Sequence, residues 1–228
     1  MTANGRMPPR ILQPQSVPVI ATDAHLPPVP RGRLSVSALR ERFARPAAWT
    51  PEIAGDGRGF ASERPFTPAS VLVPLVVRDS GLQLLLTQRT AHLRDHAGQI
   101  SFPGGRAEAH DADAAATALR ETEEEVGLPR RHVEVIGQLP TYTTVTHYVV
   151  TPVVALVTPP FELKLDAFEV AEAFEVPLDF LMNPAHHQRH EFVFDGGKRQ
   201  FLSMPWGQHF IWGATAAMLR NLYRFLDA

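Results

Sequence analysis

GGRAEAHDADAAATALRETEEEVGL, residues 104–128, opens with two glycines and closes with Gly127. Its middle, DADAAATALRE, is rich in helix formers, and Gly127 with Pro129 just beyond is a helix stop signal. The last turns then collect Glu121, Glu123, Glu124 and Glu125. Acid there faces the negative end of the helix dipole, and like charges three and four residues apart repel. At about 100° per residue, Glu121, Glu124 and Glu125 share one arc while Glu123 points away. Ala115, Ala118, Leu119, Thr122 and Val126 form a separate face of small residues, suited to close packing on a sheet.

By charge count alone the acids read as a solvated helix end. Two details favour a site. The glycine turn before the helix offers backbone N–H groups to an anion. Arg120 stands beside the cluster and can hold one carboxylate by charge-assisted hydrogen bonds. Crowded oxygen ligands of this kind suit Mg²⁺ or Mn²⁺, which cancel the repulsion and leave positions open for water and phosphate.

Outward from this helix, SVLVPLVV (residues 70–77) and LQLLLTQR (82–89) read as strands joined at Asp79-Ser80-Gly81, a hairpin signal. QISF (99–102) is a short strand leading into Pro103-Gly104-Gly105. HVEVIGQL (132–139) and TTVTHYVVTPVVALV (143–157) are further strands, and EFVFD and RQFLSMPW flank a second hairpin signal at Gly196-Gly197. HFIWGATAAMLRNLYRFL (209–226) reads as a closing amphipathic helix, with Ile211, Ala214, Leu219, Leu222 and Leu226 near one stripe. Hairpins beside longer crossovers predict a mixed sheet covered by helices. Residues 1–33, proline-rich and without a sustained period, are expected to be a flexible or loosely draped arm. Residues 34–68 read as a short helix capped by Ser35 or Ser37 and an irregular stretch, with one domain from 69 to 228.

The 228 residues are 44% hydrophobic, enough for one sizeable core. A net charge of −2 gives no footprint for nucleic acid. The chain has no cysteine, which excludes disulfides, thiolate metal sites and a thiol nucleophile. It has no apolar run long enough to span a bilayer and no secretory signal, so the expected location is the cytoplasm.

RETEEEVGL after a double glycine resembles the signature of the Nudix hydrolases. That signature is Gly, five residues, Glu, seven residues, then Arg-Glu-aliphatic-any-Glu-Glu-any-Gly-aliphatic. Arg120, Glu121, Glu124, Glu125, Gly127 and Leu128 match in register. Thr122 replaces the aliphatic residue. Counted from Gly105, the first acid is Asp111 in place of Glu, and eight residues separate it from Arg120. Upstream, LLTQRTAHLRDHAGQISFPGG (85–105) is similar to the motif of the coenzyme A pyrophosphatase branch, with Thr90 where Ser is usual. The resemblance covers roughly residue 35 to the C-terminus, including EVAEAFEVPLDFLMNP (169–184).

The resemblance implies an α/β/α sandwich around a mixed sheet. It also implies Mg²⁺- or Mn²⁺-dependent hydrolysis of the pyrophosphate of coenzyme A or acyl-coenzyme A, to 3′,5′-ADP and (acyl-)4′-phosphopantetheine. Glu121, Glu124 and Glu125 would be the metal ligands and, with Arg120, the catalytic set. Arg89, Thr90, Arg94, Gly104 and Gly105 would meet the substrate, since two cations and a hydroxyl near a glycine turn suit a phosphate-rich ligand. The expected partner is a small nucleotide, with no nucleic acid or membrane, and a homodimer is the assembly considered. Other nucleoside diphosphate derivatives (ADP-ribose, dinucleotides) and a non-catalytic nucleotide sensor are the alternatives. His92 and His96 are further candidates for substrate contact. Glu169, Glu172 and Glu175 read either as a solvated helix face or as the source of an auxiliary base. His186, His187 and His190 read as surface histidines in a polar loop, and Trp206 and Trp212 as packing residues.

Overall fold

Thr67–Arg78 forms a strand because six apolar side chains from Val71 to Val77 surround a single proline, and nothing in the run favours a turn. The computed structural model describes residues 9–56, 65–93, 96–195 and 197–228. Gly196 of the second hairpin signal and Arg94 lie outside these residues. In chain order the elements are β1 (Val19–Thr22), α1 (Val36–Ala44), β2 (Thr67–Arg78), β3 (Gly81–Arg89), β4 (Ile100–Ser101), β5 (Gly104–Arg106), α2 (Ala114–Val126), β6 (Val133–Gln138), β7 (Tyr142–Thr143), β8 (Tyr148–Val157), β9 (Val170–Pro177), α3 (Leu178–Leu181), β10 (Gln188–Phe194), β11 (Gly197–Trp206), β12 (His209–Trp212) and α4 (Gly213–Asp227).

Eight strands make the larger sheet, with β4-β3-β2-β8-β6 as its main path and β5, β7 and β9 paired at its margins. β2 runs parallel to β8, from Thr67 opposite Tyr148 to Val76 opposite Val157, while the other pairings are antiparallel. This is the mixed sheet expected from sequence. Alternation along β2 sends Leu72 to one face, where it packs with Ala118 of α2 and with Val153 and Ala155. Val73 and Leu75 go to the other face, against Leu219, Leu222 and Leu226 of α4. The sheet is thus covered on both sides, and α2 uses the small-residue face that lets a helix lie close.

A second sheet, β1-β10-β11-β12, is wholly antiparallel. The proline-rich N-terminal segment supplies its first strand, pairing Val19 with His190 and Thr22 with Gln188. Ile11 and Val17 of the same segment pack against Phe201. Ser35 caps α1, its side chain accepting from the Ala38 amide.

Three sequence expectations change. EVAEAFEV (169–176) contributes a strand, not a helix face: β9 pairs with β3 from Gln83–Pro177 to Arg89–Val170, so Glu172 and Glu175 sit on a sheet margin. HFIW is β12, and the last helix begins only at Gly213, whose φ of +63° breaks the extended run. The long strand 143–157 is interrupted, because His147 takes φ +65° and turns the chain between β7 and β8.

Candidate active site

Asp113 caps α2, accepting from the Ala116 amide, and Gly127 ends it in the left-handed conformation at φ +67°. Between these ends the helix lies on β2 and β5, so its acidic arc faces the Gly104-Gly105 turn. Gly104 has φ +151°, and a Cβ there would stand 2.4 Å from the Ser70 carbonyl oxygen. Its amide donates to Glu125 Oε2 at 3.0 Å. Gly105 lies against Glu121: a Cβ would meet that carboxylate at 2.5 Å. Both glycines are there to let a carboxylate or a neighbouring strand come close.

The glutamates are held unequally. Glu125 is 6% exposed. Burial pushes its carboxyl up to about 7, with repulsion from Glu169 and Glu121 adding to it, against the Gly104 amide and Arg89. Glu121 is also raised, chiefly by burial and then by Glu124 and Glu169, with Arg120 opposing. Glu124 is open to solvent and reaches Arg120 Nη1 at 3.0 Å. Glu123 points away from the cluster, as its position on the helix requires, and pairs with Arg130 at 3.0 Å.

Arg120 is the organiser. Its Nη1 donates to Glu121 at 3.1 Å and to Glu124 at 3.0 Å, and its Nη2 to the Arg106 carbonyl at 2.9 Å. Nε and Nη2 together grip Asp111 at 3.0 Å each. That grip holds the Asp111 carboxyl well below the usual carboxylate range, aided by the Glu108 amide and the Thr117 hydroxyl. Asp111 therefore anchors the arginine, and the additional residue in the loop leaves this contact intact.

Arg89, at the end of β3, has Nη1 3.6 Å from Glu125 Oε1 and Nη2 3.7 Å from Glu169 Oε2. These are loose ion pairs, open to exchange for a stronger anion. Thr90 is buried, and its hydroxyl donates to the Phe168 carbonyl at 2.7 Å, fixing the segment before β9. That segment brings Glu169 to the cluster: the Lys164 amide binds the Val126 carbonyl and the Asp166 amide binds that of Glu125, both at 2.9 Å. Glu172 instead faces His209 at 3.2 Å, and Glu175 pairs with Arg78.

Among the described residues, no three His, Asp or Glu side chains are gathered closely enough to hold a metal ion. The donor set nevertheless fits a hard divalent cation. It is all oxygen, it includes a buried carboxylate, and two further carboxylates repel that one.

Of the histidines after Pro184, His186 is half-buried and His187 and His190 are not surface residues. His187 is 0% exposed and donates through Nε2 to the Leu181 carbonyl at 2.7 Å, while Nδ1 accepts from Arg220 at 3.1 Å. Burial lowers it to about 4. His190 stacks on Phe201 and is bonded to Val17 O and Ser203 Oγ, both at 2.8 Å. A cavity of about 360 Å³, lined by Ile53, Tyr142, Arg199, Phe201 and Ala217 among others, lies on the α4 side of the sheet. Its arginines are already matched, Arg199 by Asp56 and Arg189 by Asp23 and Glu52, so the chemistry points to the α2 side.

Residues 67–195 match the NUDIX domain. The chain is 44% identical over 154 residues to the Nudix hydrolase NudL of Escherichia coli K12, itself uncharacterized, covering 68% of this chain and 80% of that one. It is similar in fold to RenU, a Nudix hydrolase from M. smegmatis, at 22% identity and a TM-score of 0.46, over 57% of this chain and 83% of that chain. A C. elegans Ap4A hydrolase matches at 21% identity and a TM-score of 0.42, over 52% and 85% of the two chains. No helix among the described residues is long and apolar enough to cross a membrane.

Proposed function

The chain belongs to the Nudix hydrolases, and on that premise we propose that it cleaves the pyrophosphate bond of coenzyme A or acyl-coenzyme A. The products are 3′,5′-ADP and 4′-phosphopantetheine or its acyl form. One observation carries the reading. The segment 85–105, similar to the coenzyme A pyrophosphatase motif, ends its strand with Arg89 3.6 Å from Glu125, so the two motifs meet at one centre.

Nudix hydrolases work with divalent metal ions, and in this chain Glu121, Glu124 and Glu125 would hold Mg²⁺ or Mn²⁺. Once bound, such an ion neutralises phosphate charge and lowers the pKa of water. The protein's own groups do the rest. Arg120 fixes the rotamers of Glu121 and Glu124, and the bare Gly105 leaves room for the Glu121 carboxylate. Arg89, loosely paired, turns to the pyrophosphate when it arrives, and the Gly104-Gly105 turn shapes the approach to the helix. Arg94 belongs to the same motif and supplies a second cation for a substrate that carries an additional phosphate. Glu169, 3.7 Å from Arg89, would orient a water as auxiliary base.

Product analysis after incubation with coenzyme A and Mn²⁺ tests the reading. Stoichiometric 3′,5′-ADP and 4′-phosphopantetheine are expected. Turnover of ADP-ribose or a dinucleotide with none of coenzyme A would overturn the substrate assignment.

A further inference from the structure

Phe168 is 65% exposed, yet its backbone is among the most tightly tied near the site. Its amide donates to Asp166 Oδ1 at 2.9 Å, and its carbonyl accepts from the Thr90 hydroxyl at 2.7 Å. On one side, the Asp166 amide is bound to the carbonyl of Glu125, and the Asp166 carbonyl accepts from Val170 at 2.8 Å. On the other, the Thr90 amide binds the Glu169 carbonyl at 2.9 Å. The chain thus spends a buried threonine and an Asx-type turn to hold a phenyl ring in water. Core packing does not need this, because the ring covers little.

The ring's neighbours suggest what does. His92, itself exposed, lies 4.9 Å away, ring to ring and tilted by 58°, so the two rings adjoin at the surface. Glu169, the next residue, reaches Arg89, which reaches Glu125. A flat apolar surface therefore stands one residue from the rim of a centre built for phosphates. Both rings belong to segments that carry the site: His92 follows Arg89-Thr90 directly, and Phe168 precedes Glu169.

We infer that Phe168 and His92 form a stacking platform for the nucleobase of the substrate, a specificity-determining contact for nucleoside diphosphate derivatives. A purine offers the flat face that an exposed aromatic ring binds best in water, and stacking tolerates the approach angle that a flexible ribose allows. Its phosphates then extend toward Arg89. The thiol or acyl arm of a coenzyme A substrate would lie beyond the pyrophosphate, away from the rings. The inference deepens the function above and depends on it only for which end of the molecule carries the base.

Binding separates the two. In the full chain with Mg²⁺, Phe168→Ala should weaken 3′,5′-ADP about tenfold by calorimetry and leave 4′-phosphopantetheine unchanged, while Phe168→Trp restores the nucleotide. The KM for coenzyme A should rise with kcat little altered. His92→Ala should give a smaller loss of the same kind, and Val193→Ala, an exposed apolar residue on the β10–β11 hairpin of the second sheet, should give none. If Phe168→Ala leaves 3′,5′-ADP binding intact, or weakens 4′-phosphopantetheine instead, the platform is overturned. If coenzyme A is not hydrolysed but 3′,5′-ADP binding still depends on Phe168, the substrate assignment falls and the platform stands.

Discussion

On the α4 side of the molecule, Glu52 takes hydrogen bonds from Arg189, Arg220 and Arg224 at 2.8, 2.7 and 2.7 Å. On the α2 side, Glu125 takes one from a backbone amide and has, among the described residues, a single arginine 3.6 Å away. Both are partly or wholly withdrawn from water, and their carboxyls move in opposite directions. Burial alone would raise Glu52, but three guanidinium groups outweigh it and bring it down to about 2. Glu125 is pushed up to about 7. The difference lies in the completeness of the surrounding donors. Around Glu52, Asp23 adds a second carboxylate and the arginines link the N-terminal segment, β10 and α4 into one network. It is a staple that needs nothing more. Around Glu125, Arg89 and the Gly104 amide do not offset burial and the repulsion of Glu169 and Glu121, and in the function proposed above a cation would supply the remainder.

The comparison breaks if the two clusters answer alike to losing a charge. Glu125→Gln should cut turnover by about a thousandfold, roughly 4 kcal/mol of barrier. The metal-free protein should melt no lower than wild type, since an amide keeps the Gly104 hydrogen bond without the desolvated charge. Glu124→Gln, at an exposed position, should also lose nearly all turnover while remaining folded. Retained activity in both variants would remove the metal-site assignment. Asp23→Ala should do the reverse, costing about 3 kcal/mol of stability with kcat unchanged. It removes one of the two carboxylates that face Arg220, a side chain only 1% exposed: Asp23 at 3.3 Å is lost and Glu52 at 2.7 Å remains. Urea denaturation with parallel kinetics separates the two behaviours.

How much of this is readable in sequence follows the same division. The helix α2, its glycine stop and the shared arc of Glu121, Glu124 and Glu125 depend on contacts one turn apart, and local periodicity shows them. The β2–β3 hairpin is equally local, with Arg78 opposite Gly81 across the turn. The staple is not local. Asp23, Glu52, Arg189 and Arg220 are scattered over the chain, and nothing in their surroundings announces that they converge. The burial of His187 and His190 was hidden for the same reason, since their partners Arg220 and Ser203 come from α4 and β11. β9 was hard to read because Glu169, Glu172 and Glu175 repeat at a helical spacing, while pairing with β3 is a tertiary choice that overrides it. Phe168 left one signal, an apolar ring in a polar turn after Asp166, which reads as core until its exposure is seen.

Acid should separate the clusters by sign. Glu52 is at about 2 in the folded chain against an ordinary 4.5, so its stabilisation is present above pH 4.5 and is lost as pH falls toward 2. Allowing for its residual contact with solvent, the loss is about 2 kcal/mol. Glu125 in metal-free protein has the raised value, so both states are protonated below pH 4.5 and the penalty grows as pH climbs from 4.5 to about 7. Glu52→Gln should therefore flatten the stability profile below pH 4.5, and Glu125→Gln the profile between pH 5 and 7. Profiles unchanged in either window would show that the cluster concerned does not govern it.

The smallest effect concerns the space that keeps Glu121 in its place. Gly105→Ala puts a methyl group 2.5 Å from the Glu121 carboxylate, the far end of a flexible side chain, so the fold survives and the carboxylate shifts. Activity should fall roughly tenfold, because the side chain recovers part of the ~100-fold that an ångström of misplacement costs. Gly104→Ala is the control, since its methyl meets Ser70 backbone at 2.4 Å in a conformation reserved for glycine, and it should lower the melting temperature as well. If Gly105→Ala lost stability but kept full turnover, Glu121 would belong with the packed charges of the α4 side, and the unbalanced cluster would shrink to Glu125 and Glu169.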